Sequence, residues 1–360
     1  MFLIEALRAL PQEARHVRVD VEGQRGALAV SLPEGQLSVA FEPEGVNACS
    51  YVVDGKIVRL ARALPAEALA RVREDKLRLE CGDAAYAFSA LAAQTVALVA
   101  EPKKWAKKTV AAAWLRKALQ YVKEAAATAD VRYYLNGVYV RLEERNEVVA
   151  SNGHVAAMVS AEGAERERPA RIILPNKCVN EIVRLLEGDC DAPTIELGHN
   201  GSGGTMLRVR AGALSYVALG YEGVYPDYAR IFADNQATAM ARFEAEAVAA
   251  AVARLELTVQ AKSPSLRVSF SSGHLRLAST DNPDKDGVET VKAEDSASGE
   301  LQCGLNARYA ATAIEAARVY GKRAIIGWCE PQKPLTICPA TEEGARIHEQ
   351  IKWIVAPFRE

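Results

Sequence analysis

Val138-Tyr139-Val140-Arg141-Leu142 puts Val138, Val140 and Leu142 on one side of an extended chain and Tyr139 and Arg141 on the other. That is the period of a strand with one face in a core. Leu37-Ser38-Val39-Ala40-Phe41 and Leu266-Arg267-Val268-Ser269-Phe270 repeat it. Short polar turn signals punctuate such strands at Pro33-Glu34-Gly35, Asp54-Gly55, Ser272-Gly273 and Asn200 to Gly204, and these suit antiparallel hairpins better than parallel crossovers. Helical periodicity appears in six stretches: 2–10, 63–73, 108–125, 175–187, 244–257 and 306–319. Their midpoints fall about 50 to 70 residues apart, so a helix-plus-strands unit is used six times. The expected class is α+β. Ala100-Glu101-Pro102-Lys103-Lys104 and Ala233-Asp234-Asn235-Gln236 read as linkers, dividing the chain into domains 1–101, 102–233 and 234–360 with two helices in each.

Composition narrows the class further. The 360 residues are 49% hydrophobic and 25% charged, which describes a globular chain. No apolar run approaches the roughly 18 residues of a membrane span, and Met1 to Ile4 is followed at once by Glu5 and Arg8, so a soluble, cytoplasmic protein without membrane contact is expected. The seven cysteines (Cys49, Cys81, Cys178, Cys190, Cys303, Cys329, Cys338) form no CxxC pair and read as reduced thiols.

The formal charge of -2 conceals a segregation. Residues 101–132 carry eight bases against three acids, whereas residues 281–299 carry six acids against two bases. On a helical wheel Lys108, Arg116 and Lys123 share one arc, opposite Val110, Trp114, Leu115, Ala118, Tyr121 and Val122. Lys177 and Arg184 likewise lie opposite Cys178, Val179, Ile182, Val183, Leu185 and Leu186. A phosphate backbone would be attracted to such faces, although a solvated surface helix has the same pattern and charge alone does not decide.

Longer motifs carry a resemblance. Asp130-Val131-Arg132-Tyr133-Tyr134-Leu135-Asn136-Gly137 resembles a signature of the bacterial DNA polymerase III beta subunit family, where it starts the first strand after the opening helix of the middle domain. Val148 to Ala156, containing Ser151-Asn152-Gly153-His154, is similar to that family's strand-turn-strand. Ile173 to Lys177 resembles the entry to the second middle-domain helix, Val224-Tyr225-Pro226-Asp227-Tyr228-Ala229-Arg230-Ile231 the linker to the third domain, Asn306 to Tyr309 the start of the last helix, and Ile354 to Arg359 the closing strand and tail. The first hundred residues match less well, lacking the family's Arg-x-Thr-x-Pro-Ile-Leu segment between Pro11 and Ala27.

The resemblance implies a DNA clamp fold of three similar domains, each with two helices on antiparallel sheets, closing into a ring as a head-to-tail homodimer. It implies a sliding clamp, a processivity factor around duplex DNA that tethers replicative and repair polymerases, non-catalytic and accessory to the DNA polymerase III holoenzyme. DNA-facing residues would be Lys108, Arg116, Lys123, Arg132, Tyr133, Tyr134, Lys177 and Arg184, with strand packing as the plain alternative for the tyrosines. Polymerase and clamp-loader peptides would enter a groove of Leu135, Ser151, Gly153, His154, Ala156, Pro226, Arg230, Ile231, Ile354, Ala356, Pro357, Phe358 and Arg359. Val155 and Ala156 stand where the family often has Arg and Leu. Tyr86 and Leu257 would sit at the dimer seam, where the family's arginines are missing from Cys81-Gly82-Asp83-Ala84-Ala85-Tyr86.

No phosphate-loop, GxSxG or HExxH motif is present, and Gly201-Ser202-Gly203-Gly204 reads as a hairpin loop. His154 has no Cys or carboxylate at ligand spacing and reads as a turn histidine. No cofactor or metal is expected; the Asp281 to Asp286 turn is the single thin candidate for Mg²⁺. The alternatives are a clamp-fold scaffold that no longer encircles DNA and a metal-dependent hydrolase.

Overall fold

The computed structural model describes the chain except residues 44–46, 74, 165–169, 188–192, 200–203, 234–236, 260–264, 280–286, 296–300, 331, 341–349 and 358–360. Cys190, the Asp281 to Asp286 turn and most of the expected hairpin and linker at 200–204 and 233–236 therefore lie outside the described residues. Among the described residues one element order recurs: a helix, four strands, a second helix, three strands. Its first pass is α1 (Leu3–Ala9), β1 (His16–Glu22), β2 (Arg25–Leu32), β3 (Gly35–Phe41), β4 (Cys49–Asp54), α2 (Lys56–Ala63), β5 (Leu69–Arg73), β6 (Lys76–Cys81) and β7 (Ala84–Ser89), with a short β8 (Leu91–Ala92) appended. The second pass opens with a strand, β9 (Trp105–Lys108), then α3 (Ala112–Val122), β10 (Gly137–Leu142), β11 (Arg145–Ser151), β12 (Val155–Glu162), β13 (Ala170–Pro175), α4 (Asn176–Glu187), β14 (Thr194–His199), β15 (Thr205–Ala211) and β16 (Leu214–Leu219). After a short α5 (Ala229–Ala233), the third also opens with a strand: β17 (Ala239–Glu244), α6 (Ala245–Glu256), β18 (Ser265–Ser271), β19 (His274–Ser279), β20 (Val288–Asp295), β21 (Leu301–Asn306), α7 (Ala307–Ala317), β22 (Arg323–Trp328), β23 (Leu335–Pro339) and β24 (Ile351–Val355).

These elements form two compact units, Met1–Ala112 with Lys177–Tyr221, and Ala113–Asn176 with Glu222–Glu360. The first holds a sheet ordered β8-β4-β1-β2-β3-β16-β15-β14-β9 and a separate sheet β5-β6-β7. The second holds one sheet ordered β13-β10-β11-β12-β24-β23-β22-β17-β20-β19-β18-β21. The described strands pair antiparallel, as the hairpin signals imply. Pro33-Glu34-Gly35 turns β2 into β3 with Glu34 at φ 62°, and Ser272-Gly273 turns β18 into β19 with both residues at positive φ, the geometry that matches strand twist.

Alternation and helical period choose what is buried. Val17, Val19 and Val21 of β1 and Leu37, Val39 and Phe41 of β3 face the first unit's core, where α1 supplies Leu7. In the second unit α6 and α7 pack on Ala-rich faces, Ala245, Val248, Ala251, Val252 and Leu255 against Ala307, Ala310, Ala313, Ile314 and Ala317. Trp353 of β24 is fully buried; its indole N–H donates to the Tyr121 carbonyl at 3.2 Å and its ring meets Tyr121 edge-on at 6.3 Å. Burying such a ring is worth about 3 kcal/mol, and the edge-on contact adds ~1 kcal/mol. The six described cysteines are free thiols; burial pushes Cys178 up to about 11 and Cys303 up to about 12.

Three sequence expectations are corrected. The helix expected over Ala63 to Arg73 lies earlier, at Lys56–Ala63, and Leu69–Arg73 is strand β5. Pro65 holds Leu64 in extended backbone, φ -78° and ψ 149°, so the helix cannot run on. Asp54-Gly55 accordingly opens α2 instead of a hairpin: the Asp54 carboxylate accepts from the Lys56 N–H at 2.8 Å, and a Cβ on Gly55 would fall 1.7 Å from the Ala14 carbonyl oxygen. The helix expected from Lys108 starts at Ala112, because Lys108 pairs with Ile195 in the β9–β14 ladder and is 5% exposed. No described helix is long and apolar enough to cross a membrane.

Candidate functional site

The second unit brings most of the expected groove residues to the turn between β11 and β12. There the Asn152 carboxamide oxygen accepts from the N–H groups of His154 (2.9 Å) and Val155 (3.0 Å). Ser151 Oγ donates to the Val155 carbonyl at 2.7 Å and accepts from the Gly153 N–H at 3.1 Å. Gly153 sits at φ +88°, and a Cβ there would lie 3.2 Å from the Arg132 guanidinium. A polar side chain before and a glycine at the bend thus make a tight turn that projects His154 outward.

Strand pairing carries this turn to the end of the chain. In the β12–β24 ladder Ala156 faces Ile354, the Ala356 N–H donates to the His154 carbonyl at 2.9 Å, and Pro357 bridges to Leu305. The His154 ring stacks on Tyr309 at 5.9 Å and 17°. Tyr309 is held there because Asn306 caps α7, its side chain accepting from the Arg308 and Tyr309 N–H groups. Leu135, Ala156 and Ile354 are buried, while Gly153 and His154 are exposed. Phe358 and Arg359 lie outside the described residues.

Aromatic side chains pin the segment that supplies Pro226, Arg230 and Ile231. Tyr225 stacks flat on Tyr139 of β10 at 5.1 Å and 10°, and the Tyr228 hydroxyl donates to the Glu147 carboxylate of β11, which also pairs with Arg141 at 2.7 Å. Burial raises the Tyr228 hydroxyl above its ordinary value. Further on, Lys352 of β24 donates to the Phe232 carbonyl at 3.2 Å. Pro226, Arg230 and Ile231 are exposed along this segment.

Arg132, Tyr133 and Tyr134 are not on a strand: Tyr133 to Asn136 form a 3-10 turn ahead of β10. Asn136 closes that loop, accepting from the Asp130 N–H at 2.8 Å and donating to the Asp130 carbonyl at 2.9 Å. Arg132 binds the Asp130 carboxylate with two donors, at 3.0 and 2.8 Å, and this guanidinium holds the carboxyl down at about 2. Tyr133 is half exposed and meets Tyr134 edge-on at 5.8 Å. Strand packing therefore does not account for the pair.

The cationic residues divide between the units. Arg116 lies on α3, and Lys123 follows in the 3-10 turn after it, 3.6 Å from Glu124. Lys117, which the helical wheel does not single out, is exposed and lies over the Tyr320 ring at 5.8 Å. In the first unit Lys177 and Arg184 are exposed on α4, Arg184 paired with Glu181 at 2.9 Å, whereas buried Lys108 presents no surface charge. Tyr86 is 40% exposed on β7, an edge strand, and Leu257 is 84% exposed at the end of α6. The nearby acids are already engaged: Arg254 grips Glu289 with two donors, Arg242 pairs with Glu294, and both carboxyls are lowered by those hydrogen bonds. Among the described residues no group of three His, Cys, Asp or Glu side chains could hold a metal ion.

Residues 109–227 match the DNA polymerase III beta subunit central domain, and residues 230–349 match its C-terminal domain. The chain belongs to the DNA polymerase III beta subunit family. Together the two matches take in about two thirds of the chain and meet within the segment that Tyr225 and Tyr228 pin. The beta sliding clamp of Pseudomonas putida is 26% identical over 313 residues, 85% of this chain and 83% of that protein. That of Escherichia coli is 23% identical over 274 residues, 75% of this chain and 73% of that one. The fold is shared with the crystal structure of the Pseudomonas aeruginosa DNA polymerase III subunit beta (TM-score 0.84, 23% identity, 99% of this chain and 98% of that one). It is also shared with the C. crescentus beta sliding clamp (TM-score 0.82, 19% identity, 99% and 96%). Family motifs located the turn and the pinned segment; Tyr309 was missed as a site residue because its 155-residue separation from His154 leaves no local signal.

Proposed function

We propose that this chain is a DNA sliding clamp, a non-catalytic processivity factor that encircles duplex DNA as a head-to-tail homodimer and tethers polymerases of the DNA polymerase III holoenzyme to it. The observation that carries the reading is the tandem of central and C-terminal beta-subunit domains, continuous through one pinned linker. A division into domains 1–101, 102–233 and 234–360 is supported by the recurring element order. A sliding ring cannot hold base edges, so its grip has to be the sequence-independent attraction between cations and phosphates. Arg116, Lys123, Lys177 and Arg184, with Lys117 added and Lys108 removed, are the residues proposed for it. Arg132, Tyr133 and Tyr134 are proposed to contact unpaired template bases, which stack on aromatic faces.

Polymerase and clamp-loader peptides are proposed to bind at the β11–β12 turn, with Leu135, Ala156 and Ile354 proposed as an apolar floor, between His154 and the segment carrying Pro226, Arg230 and Ile231. An apolar floor with polar groups at its rim suits an extended peptide that exchanges quickly. The seam is proposed at β7, around Tyr86, against the region of Leu257 on a second copy, through backbone pairing and apolar contact in place of ion pairs. Such a protein works in the bacterial cytoplasm. The test is retention on DNA: loaded onto a nicked circle, the protein stays bound in high salt and is released when the circle is linearised. Equal release from circle and linear DNA overturns the reading and favours a scaffold that does not encircle DNA.

A further inference from the structure

The segment between the second and third passes lies across the sheet of the second unit as a strap, and the strand registers fix where. Tyr139 of β10 stands opposite Val149 of β11, Val149 opposite Met158 of β12, and Met158 opposite Lys352 of β24, so these four side chains form one row on a single face. Tyr225 stacks on Tyr139 at one end of the row. Tyr228 donates to Glu147, beside Val149 on the same face of β11. At the other end Lys352 holds Phe232, donating to its carbonyl at 3.2 Å with the ammonium 5.8 Å from its ring centroid. Val149 and Met158, between these fastenings, are buried.

Further along the same strands, on the same face, comes the row Ser151, Ala156 and Ile354. It lies about 7 Å from the first row, the two-residue repeat of a strand. These three belong to the groove proposed for polymerase peptides, so the strap borders that groove as a wall. Along the strap Tyr225, Tyr228 and Phe232 turn toward the sheet, whereas Pro226, Arg230 and Ile231 are exposed. The exposed three are the strap's proposed groove residues; the inward three hold the strap in place. Inside it the Phe232 N–H donates to the Tyr228 carbonyl at 3.3 Å, so one helical turn joins the two polar fastenings.

We infer that Lys352 and Tyr228 are positioning residues of the peptide groove, two latches that hold its wall, and that peptide occupancy and strap closure form one linked equilibrium. This rests on the groove reading given above. Each latch has one charged partner, ammonium to carbonyl and phenol to carboxylate, and such bonds are stronger than neutral ones. Neither polar end is directed at the peptide. Their effect on it runs through the strap: when only the closed strap receives a peptide, affinity falls with the closed fraction. By reciprocity a bound peptide must hold the strap closed.

The probe is a fluorescein-labelled clamp-binding peptide of a DNA polymerase III catalytic subunit, added to the full chain and followed by anisotropy and stopped flow. Lys352→Met combined with Tyr228→Phe should weaken binding about tenfold, and each change alone by less. Lys352→Arg should bind as the unaltered chain does, since a guanidinium can make the same bond and ring contact. The loss should lie in the association rate with dissociation unchanged, because neither latch touches the peptide. Bound peptide should slow amide hydrogen exchange at residues 224–233. A merely structural role would lower the urea midpoint and leave the association rate where it was. Undiminished binding by the double variant, a loss carried by dissociation alone, or protection that leaves residues 224–233 unchanged overturns the inference while the groove reading stands. Failure of the unaltered chain to bind overturns the groove reading itself, and the latches with it.

Discussion

Asn152 organises the exposed turn with one oxygen serving two backbone donors, so Asn152→Ala leaves the His154 and Val155 N–H groups without that acceptor. A loss of about 1–2 kcal/mol is expected, read by urea denaturation, with a parallel weakening of clamp-binding peptides measured by anisotropy. Gly153→Ala should cost about 1 kcal/mol, because φ +88° is strained for any Cβ and Arg132 stands 3.2 Å away. Asp130 gives a pH expectation. Its carboxyl is held at about 2 in the folded chain against an ordinary 3.8, so the Arg132 contact favours the fold above pH 3.8 and fades as pH falls through 2. An NMR titration of the Asp130 carboxyl that showed a midpoint near 4 would contradict this, and Arg132→Ala should produce that midpoint. At this scale the turn itself was legible through the Ser151 to His154 motif, because the stretch that makes it is local. The stacking of His154 on Tyr309 was not, since it depends on the ladder between β12 and β24.

Among elements, helices with complete boundary signals were legible. Glu244 and Leu257 flank α6, and Asn306 both begins the expected last helix and caps α7. Ala63 to Arg73 misled because Leu69-Ala70-Arg71-Val72 also satisfies a strand period, and Pro65 settles the contest by ending α2 ahead of it. Lys108 misled because a charge on a helical wheel says nothing about whether the helix has started. The segment between the second and third passes is an element in its own right, fastened by two tyrosines. Tyr228→Phe removes the donor to Glu147 but leaves Glu147 its Arg141 partner, so the expected loss is about 1 kcal/mol. Amide exchange in residues 224–233 should speed up while that in β10 stays unchanged. Uniform acceleration across both would show that the tyrosine supports the whole unit instead of this segment.

For the whole molecule, the proposed clamp function sets two separable requirements for retention on DNA, a closed seam and a cationic lining, and variants should fail in different ways. Tyr86→Glu places a charge on the β7 edge, so it should abolish retention on circular DNA while leaving the salt dependence of weak binding to short duplexes intact. Lys177→Glu should do the reverse: the ring still closes, but log affinity against log salt becomes shallower by about 0.9 for each phosphate that is no longer neutralised. Arg184→Glu should have the smaller effect, because Arg184 already shares its charge with Glu181 at 2.9 Å, whereas Lys177 is exposed on the same helix. Measuring both slopes on one duplex, with dimerisation followed by analytical ultracentrifugation, distinguishes the two requirements. A Lys177→Glu protein with an unchanged slope removes α4 from the DNA-facing surface, and a Tyr86→Glu protein that still dimerises moves the seam away from β7.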